Sequence, residues 1–237
     1  MKKIILILFA FIMFCSPALA VVEAYDLVST KEIILRRKKI QEVGYKLLNA
    51  NGIDKRMKFS YAYKNKAVNA YTSHRNREIF VTKGMMDEID SDDELAFILG
   101  HEISHGVDFY RGPLRGYFYF PVIPPKERRV EIRSDLRAVD FAVKAGYNPL
   151  AGIIISNKIM SQPRYEWYSF HPLSSRRLAL IYAHIYQKYP YFLANNEYID
   201  NSIYQNFLLT SKENRINFKN ALGNSKNSNQ KVKPKFN

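Results

Sequence analysis

Asp93-Glu94-Leu95-Ala96-Phe97-Ile98-Leu99-Gly100-His101-Glu102-Ile103-Ser104-His105 is the stretch on which the fold of this chain turns. Leu95, Ile98, Leu99 and Ile103 recur at the three- and four-residue spacing of one helix face. Ser91-Asp92-Asp93-Glu94 has the form of a capping box and predicts where that helix starts. Gly106, just past the second histidine, offers the chain a way out. His101 and His105 are four residues apart, so on a helix their rings project from one face about one turn apart. Two imidazoles so placed can close on one zinc ion at roughly 2.0–2.1 Å each. Glu102 sits one residue beyond the first ring, angled so that its carboxylate reaches a metal-held water rather than the metal, the arrangement of a zinc hydrolase base.

A catalytic zinc ion needs a third protein ligand and one open position. The only cysteine, Cys15, falls in a leader segment, which removes thiolate ligands and cysteine nucleophiles from the mature chain. Histidine, aspartate and glutamate remain. Glu131 is the candidate on the next helix, with Glu127 one turn earlier as its rival. Asp135, one turn beyond Glu131, is placed to bond the ring nitrogen that a metal leaves free on a ligating histidine, which fixes tautomer and ring orientation.

Outward from this centre the pattern is mixed. Ile33, Ile40, Val43 and Leu47 mark an amphipathic helix closed by Asn51-Gly52, with Arg36 to Lys39 as its solvated side. Met57 to Tyr63 alternates like a half-buried strand. Val68 to Thr72 and Arg77 to Val81 flank the turn Ser73-His74-Arg75-Asn76 and read as a hairpin, and Gly84 is expected to end the sheet. Helical spacing returns over 127–145, closed by Gly146-Tyr147-Asn148-Pro149, then over 150–160 and 174–188. The segment from Phe109 to Pro125 is rich in Gly, Pro and aromatics, and its part from Phe109 to Phe120 reads as a lid, as a loop dipping into a membrane interface with Arg111 and Arg115 at the headgroups, or as an ordinary packed surface loop. The expected class is α+β, mainly helical, with a small three-stranded sheet packed on the active-site helix.

At the amino end, Lys2 and Lys3 precede an apolar run from Ile4 to Phe14, and Ala18-Leu19-Ala20 follows Pro17. This is the form of a secretory signal peptide over residues 1–20, cleaved after Ala20. A peptidase domain is expected over 21–195 and a basic extension over 196–237, disordered beyond about residue 211. The chain of 237 residues is 47% hydrophobic and carries a formal charge of +14. Export makes an anionic membrane or envelope polymer a better partner for that charge than nucleic acid, and the location is expected to be periplasmic or secreted.

Several further segments make the sequence similar to the gluzincin metallopeptidases of the HtpX, Oma and BepA type. They are Asn69-Ala70-Tyr71, Ile79-Phe80-Val81-Thr82-Lys83-Gly84-Met85, the histidine helix itself, Glu131-Ile132-Arg133-Ser134-Asp135, Ala145-Gly146-Tyr147-Asn148-Pro149 and His171-Pro172-Leu173-Ser174-Ser175-Arg176-Arg177. Ser134 stands where that family usually has alanine. The resemblance spans about residues 30–190. It implies a gluzincin-like fold, one zinc ion per chain, Glu131 as third ligand and Asp135 as its neighbour. It also implies His171 and Arg177 as site-lining residues that assist at the metal or at the scissile carbonyl. His74 and His184 receive no catalytic part. The expected activity is a zinc-dependent endopeptidase acting on exported, unfolded or misassembled polypeptides. The rival readings are an inactive metal-binding relative that holds proteins without cutting them, and a basic envelope-binding protein. Unlike its membrane-bound or repeat-bearing relatives, the chain is expected to be a compact exported member.

Overall fold

A computed structural model describes residues 29–54, 56–73, 76–109, 124–159 and 175–227 of the chain. It divides into two units, 1–39 and 40–237. In the first, residues 29–39 are helical, and Arg36 pairs with Glu32 one turn back at 2.8 Å. In the second, the same helix, α1 (29–50), supplies Ile40, Val43 and Leu47 to the core. Gly52 ends it at φ +59°. The Ile53 amide reaches back to the Leu48 carbonyl at 3.0 Å and the Gly52 amide to Asn49 at 3.2 Å, the hydrogen-bond pair of a left-handed glycine cap.

Three strands follow: β1 (Lys58–Ala62), β2 (Ala70–Ser73) and β3 (Glu78–Thr82), in the spatial order β1-β3-β2. β1 runs parallel to β3, with Phe59 beside Ile79, and β2 closes the expected antiparallel hairpin, with Tyr71 beside Phe80. Alternation puts Phe59, Tyr61, Ala70, Ile79 and Val81 on the buried face. Tyr71 and Phe80 stack on the other face with centroids 5.1 Å apart. β3 is therefore the central strand and has no open edge, while β2 lies at an edge.

The sheet does not simply end at Gly84. A short helix α2 (Lys83–Glu88) begins there, capped by Thr82, whose hydroxyl accepts the Met85 amide at 3.2 Å. Gly84 serves close packing, since a Cβ at that position would collide with the Lys66 carbonyl. Helix α3 (Asp92–Phe109) starts where the capping box places it. The Ser91 hydroxyl accepts the Glu94 amide at 3.2 Å, and the Glu94 carboxylate takes the Asp90 amide at 2.8 Å. It passes Gly106 by nearly a turn, so that glycine is not an exit; its missing side chain admits Met57, whose Cε would lie 3.0 Å from a Cβ there.

Helices α4 (Pro124–Lys144), α5 (Ala151–Ile159) and α6 (Ser175–Lys188) complete the core around α3. α3 and α4 meet where Gly100 faces Ala138, so closely that a Cβ on Gly100 would stand 3.2 Å from the Ala138 Cα. Phe97 fills the space left by Gly152 of α5. Gly146, at φ +77°, ends α4 as expected, and Asp93 at the start of α3 accepts the Asn148 amide of that turn at 3.0 Å.

The carboxyl-terminal part differs from expectation. Short helices α7 (Pro190–Ala194) and α8 (Ser202–Thr210) lead into α9 (Lys212–Asn227), so residues 212–227 are helical rather than disordered. The few apolar residues fall where they are useful: Ile216 and Phe218 line a groove with Tyr182 and Tyr186 of α6. Arg215 lies 5.4 Å over the Tyr182 ring and bonds the Leu208 carbonyl at 2.6 Å. Among the described residues, no helix is long and apolar enough to cross a membrane.

Candidate metal centre

α3 carries His101, Glu102 and His105, and α4 carries Glu131 and Asp135 across the Gly100–Ala138 crossing. Two small residues at the crossing let the helix backbones approach until side chains of ordinary length converge. The two Nε2 atoms of His101 and His105 lie 3.0 Å apart. Glu131 spans both, with Oε1 3.2 Å from His105 Nε2 and Oε2 3.4 Å from His101 Nε2. Donors held about 2.0–2.1 Å from a common centre in tetrahedral geometry would stand about 3.3 Å apart. The donor set and its spacing thus fit a zinc ion, and one ligand atom from each residue lies within 4.8 Å of the others.

Behind this face stands a second row of charge. Asp135 lies 2.9 Å from His101 Nδ1, so that with its proton on Nδ1 the neutral ring would offer the Nε2 lone pair to a metal. Arg177 of α6 grips Asp135 with its fork, Nε to Oδ2 at 2.6 Å and Nη2 to Oδ1 at 2.9 Å, and its Nη2 lies 3.6 Å from Glu131 Oε2. All four of His101, Glu131, Asp135 and Arg177 are buried. Burial by itself opposes charge on His101, but its bonds to Asp135 and Glu131 outweigh that and push its pKa up to about 10. Burial likewise opposes ionisation of Asp135, yet the Arg177 charge and the His101 bond hold its carboxyl below the usual carboxylate range. Among the described residues two buried carboxylates face one guanidinium here, a balance that favours a metal cation at the three donors or a proton on His101.

The structure thus brings together His101, His105, Glu131 and Asp135 as the sequence led one to expect. Arg177, expected to line the site and to assist at the metal or at the scissile carbonyl, has its guanidinium on the carboxylates behind the histidines. His171, His74, the aromatic segment over 110–123 and the side chain of Glu127 lie outside the described residues. His184, given no catalytic part, bonds Asp140 at 2.8 Å away from the centre. Sequence reasoning missed Thr72. Its hydroxyl lies 2.8 Å from Glu102 Oε2 and 2.9 Å from the Glu102 carbonyl. Strand alternation, which puts residues 70 and 72 on the buried face beside Asn69-Ala70-Tyr71, was the available signal.

Residues 35–108 match the family model of peptidase family M48. The match covers about a third of the chain; it supports the M48 gluzincin family to which the sequence motifs pointed, and the His101, His105 and Glu131 cluster is compatible with it. Peptidases of that family are metal-dependent hydrolases, generally zinc-using, and the His101, His105 and Glu131 donor set is of the kind they need. The match ends before α4, so the assignments of Glu131, Asp135 and Arg177 rest on the geometry above. No curated protein matches the chain.

Proposed function

We propose that the chain is an exported zinc endopeptidase that cleaves unfolded or misassembled polypeptides. The observation that carries this reading is the convergence of His101, His105 and Glu131, with the two Nε2 atoms 3.0 Å apart and a Glu131 oxygen 3.2–3.4 Å from each, backed by the buried Asp135–Arg177 pair. His101, His105 and Glu131 are the residues that would hold the ion. The chemistry that zinc supplies when bound is Lewis acidity, towards a scissile carbonyl and towards water, whose pKa falls to about 7. Glu102 is the general base: its carboxylate takes a proton from the attacking water and returns it to the departing amine nitrogen. Asp135 holds His101 in the tautomer that offers Nε2, and Arg177 holds Asp135. His171 is proposed, on family resemblance alone, as the residue that assists at the carbonyl oxygen.

The substrate is proposed to be an extended chain that adds to the open edge of β2, since main-chain pairing is indifferent to sequence and selects for unfolded polypeptide. The basic leader with its apolar run and Ala18-Leu19-Ala20 supports export to a periplasm or beyond, and the excess of lysine and arginine supports peripheral contact with an anionic membrane or envelope.

The test combines metal content and cleavage. Purified protein is expected to hold about one zinc per chain and to cut casein until a chelator is added. Glu102→Gln is expected to keep the metal and lose turnover. Peptidase activity retained in that variant, or equal cleavage of the folded and unfolded forms of one substrate protein, would count against the proposal.

A further inference from the structure

We infer that Thr72 positions the general base and ties it to the strand on which substrate is proposed to lie; the inference rests on the reading of Glu102 given above. Thr72 sits on β2, and its hydroxyl stands 2.8 Å from Glu102 Oε2 and 2.9 Å from the Glu102 main-chain carbonyl. One hydroxyl hydrogen serves both acceptors, and the charged carboxylate is the stronger of the two. Glu102 is 6% exposed, so the direction of its carboxylate depends on bonds such as this rather than on water.

The backbone of the same residue faces the other way. The Thr82 amide bonds the Asn69 carbonyl at 3.1 Å, and the register pairs Ala70 with Val81, Tyr71 with Phe80 and Thr72 with Ile79. Hydrogen-bonded and open pairs alternate along an antiparallel ladder, so the main-chain groups of Tyr71 point into β3, while those of Ala70 and Thr72 point to the open edge. Thr72 therefore offers its amide and carbonyl to an incoming strand and its side chain to the base. The distance between the paired substrate backbone and the Glu102 carboxylate is set through one residue. Thr72 touches no reacting atom, so it is a positioning residue, and its removal should affect the catalytic step more than binding.

Thr72→Val keeps the shape and the backbone groups but removes the hydroxyl, and Thr72→Ser keeps the hydroxyl. With casein-derived peptide as substrate, Thr72→Val is expected to lower kcat about tenfold or more with KM within about twofold, and Thr72→Ser to recover most of that loss. A second measurement needs neither metal nor turnover. In chelator-treated protein, the Tm losses of Thr72→Val and Glu102→Ala should not add in the double variant, falling short of the sum by about 2–4 °C. Wild-type kcat in Thr72→Val, or strictly additive Tm losses, overturns the inference. A wild-type protein that cuts no peptide defeats the peptidase reading instead, and the metal-free cycle still decides whether Thr72 holds Glu102.

Discussion

His101 is the residue on which the centre balances, because it is bound from both sides, by Glu131 and His105 at Nε2 and by Asp135 at Nδ1. Removing the Asp135 charge while keeping its size frees the wrong tautomer. Asp135→Asn is expected to weaken zinc binding about 10–100-fold, read by competition with a metal-sensitive dye. Arg177 is the costlier deletion: Arg177→Gln leaves a buried carboxylate without its fork and is expected to lose about 3–5 kcal/mol in urea denaturation of the metal-free protein. The opposite sign is expected one residue before Asp135. Ser134 is fully buried, and its hydroxyl has no partner among the described residues. Ser134→Ala should therefore leave stability unchanged or raise it by about 1 kcal/mol, a Tm gain of about 2–4 °C; a clear loss would mean that the hydroxyl has a bond in solution. Legibility at this scale followed chemistry. The two histidines and Glu102 stood out because the H-E-x-x-H spacing restricts residue type on one helix face, whereas Glu131 was told from its rival Glu127, and Asp135 set beside it, by the family resemblance. Thr72 and the true partner of Arg177 were not, since a hydroxyl or a guanidinium bonds many things and only the fold chooses among them.

The crossing of α3 and α4 does at the level of elements what the donors do at the level of atoms. Gly100 was legible as a helix residue and nothing more, because the need for a missing side chain comes from Ala138, 38 positions along the chain. By intrinsic propensity alone alanine would stabilise a helix by about 1 kcal/mol over glycine. Contact with the α4 backbone works against this, and a branched side chain has no room at all. Gly100→Val is thus expected to push α4 outward and to cost zinc affinity at least tenfold while the helix content by circular dichroism stays near wild type. Unchanged affinity would show that the crossing does not set the donor spacing. The other elements divide along similar lines. α1, α4 and their glycine caps were readable because period and cap chemistry are local. α9 was misread because its composition resembles a disordered tail, and its order comes from Arg215, Ile216 and Phe218 meeting α6 and α8, contacts that composition does not encode.

Taken whole, the second unit carries two charge clusters, one buried and one half-exposed, that respond to pH in opposite directions. Away from the metal centre, Asp140 of α4 accepts from His184, Lys188 and Tyr189, each at 2.8 Å. Burial opposes its ionisation, but these three bonds prevail and bring its pKa down to about 2. A depressed carboxylate stabilises the fold fully above its ordinary value near 4 and loses that contribution as pH falls through about 2. His101 has the reverse sign. In the metal-free protein its raised pKa contributes stability in full below the ordinary value of 6.5, and that contribution is lost as pH rises through about 10. Zinc takes the place of the proton at Nε2, so the loaded protein has no such alkaline loss, and binding releases the proton wherever His101 would otherwise carry it. Chelator-treated protein is therefore expected to show a Tm that falls steadily between pH 6.5 and 10, while the zinc-loaded protein holds its value over the same interval. The gap between the two should widen with pH. A gap that stays constant or narrows towards the alkaline end would mean that the positive charge sought by Glu131 and Asp135 is not supplied by His101 in the empty site, and that metal and proton do not compete there.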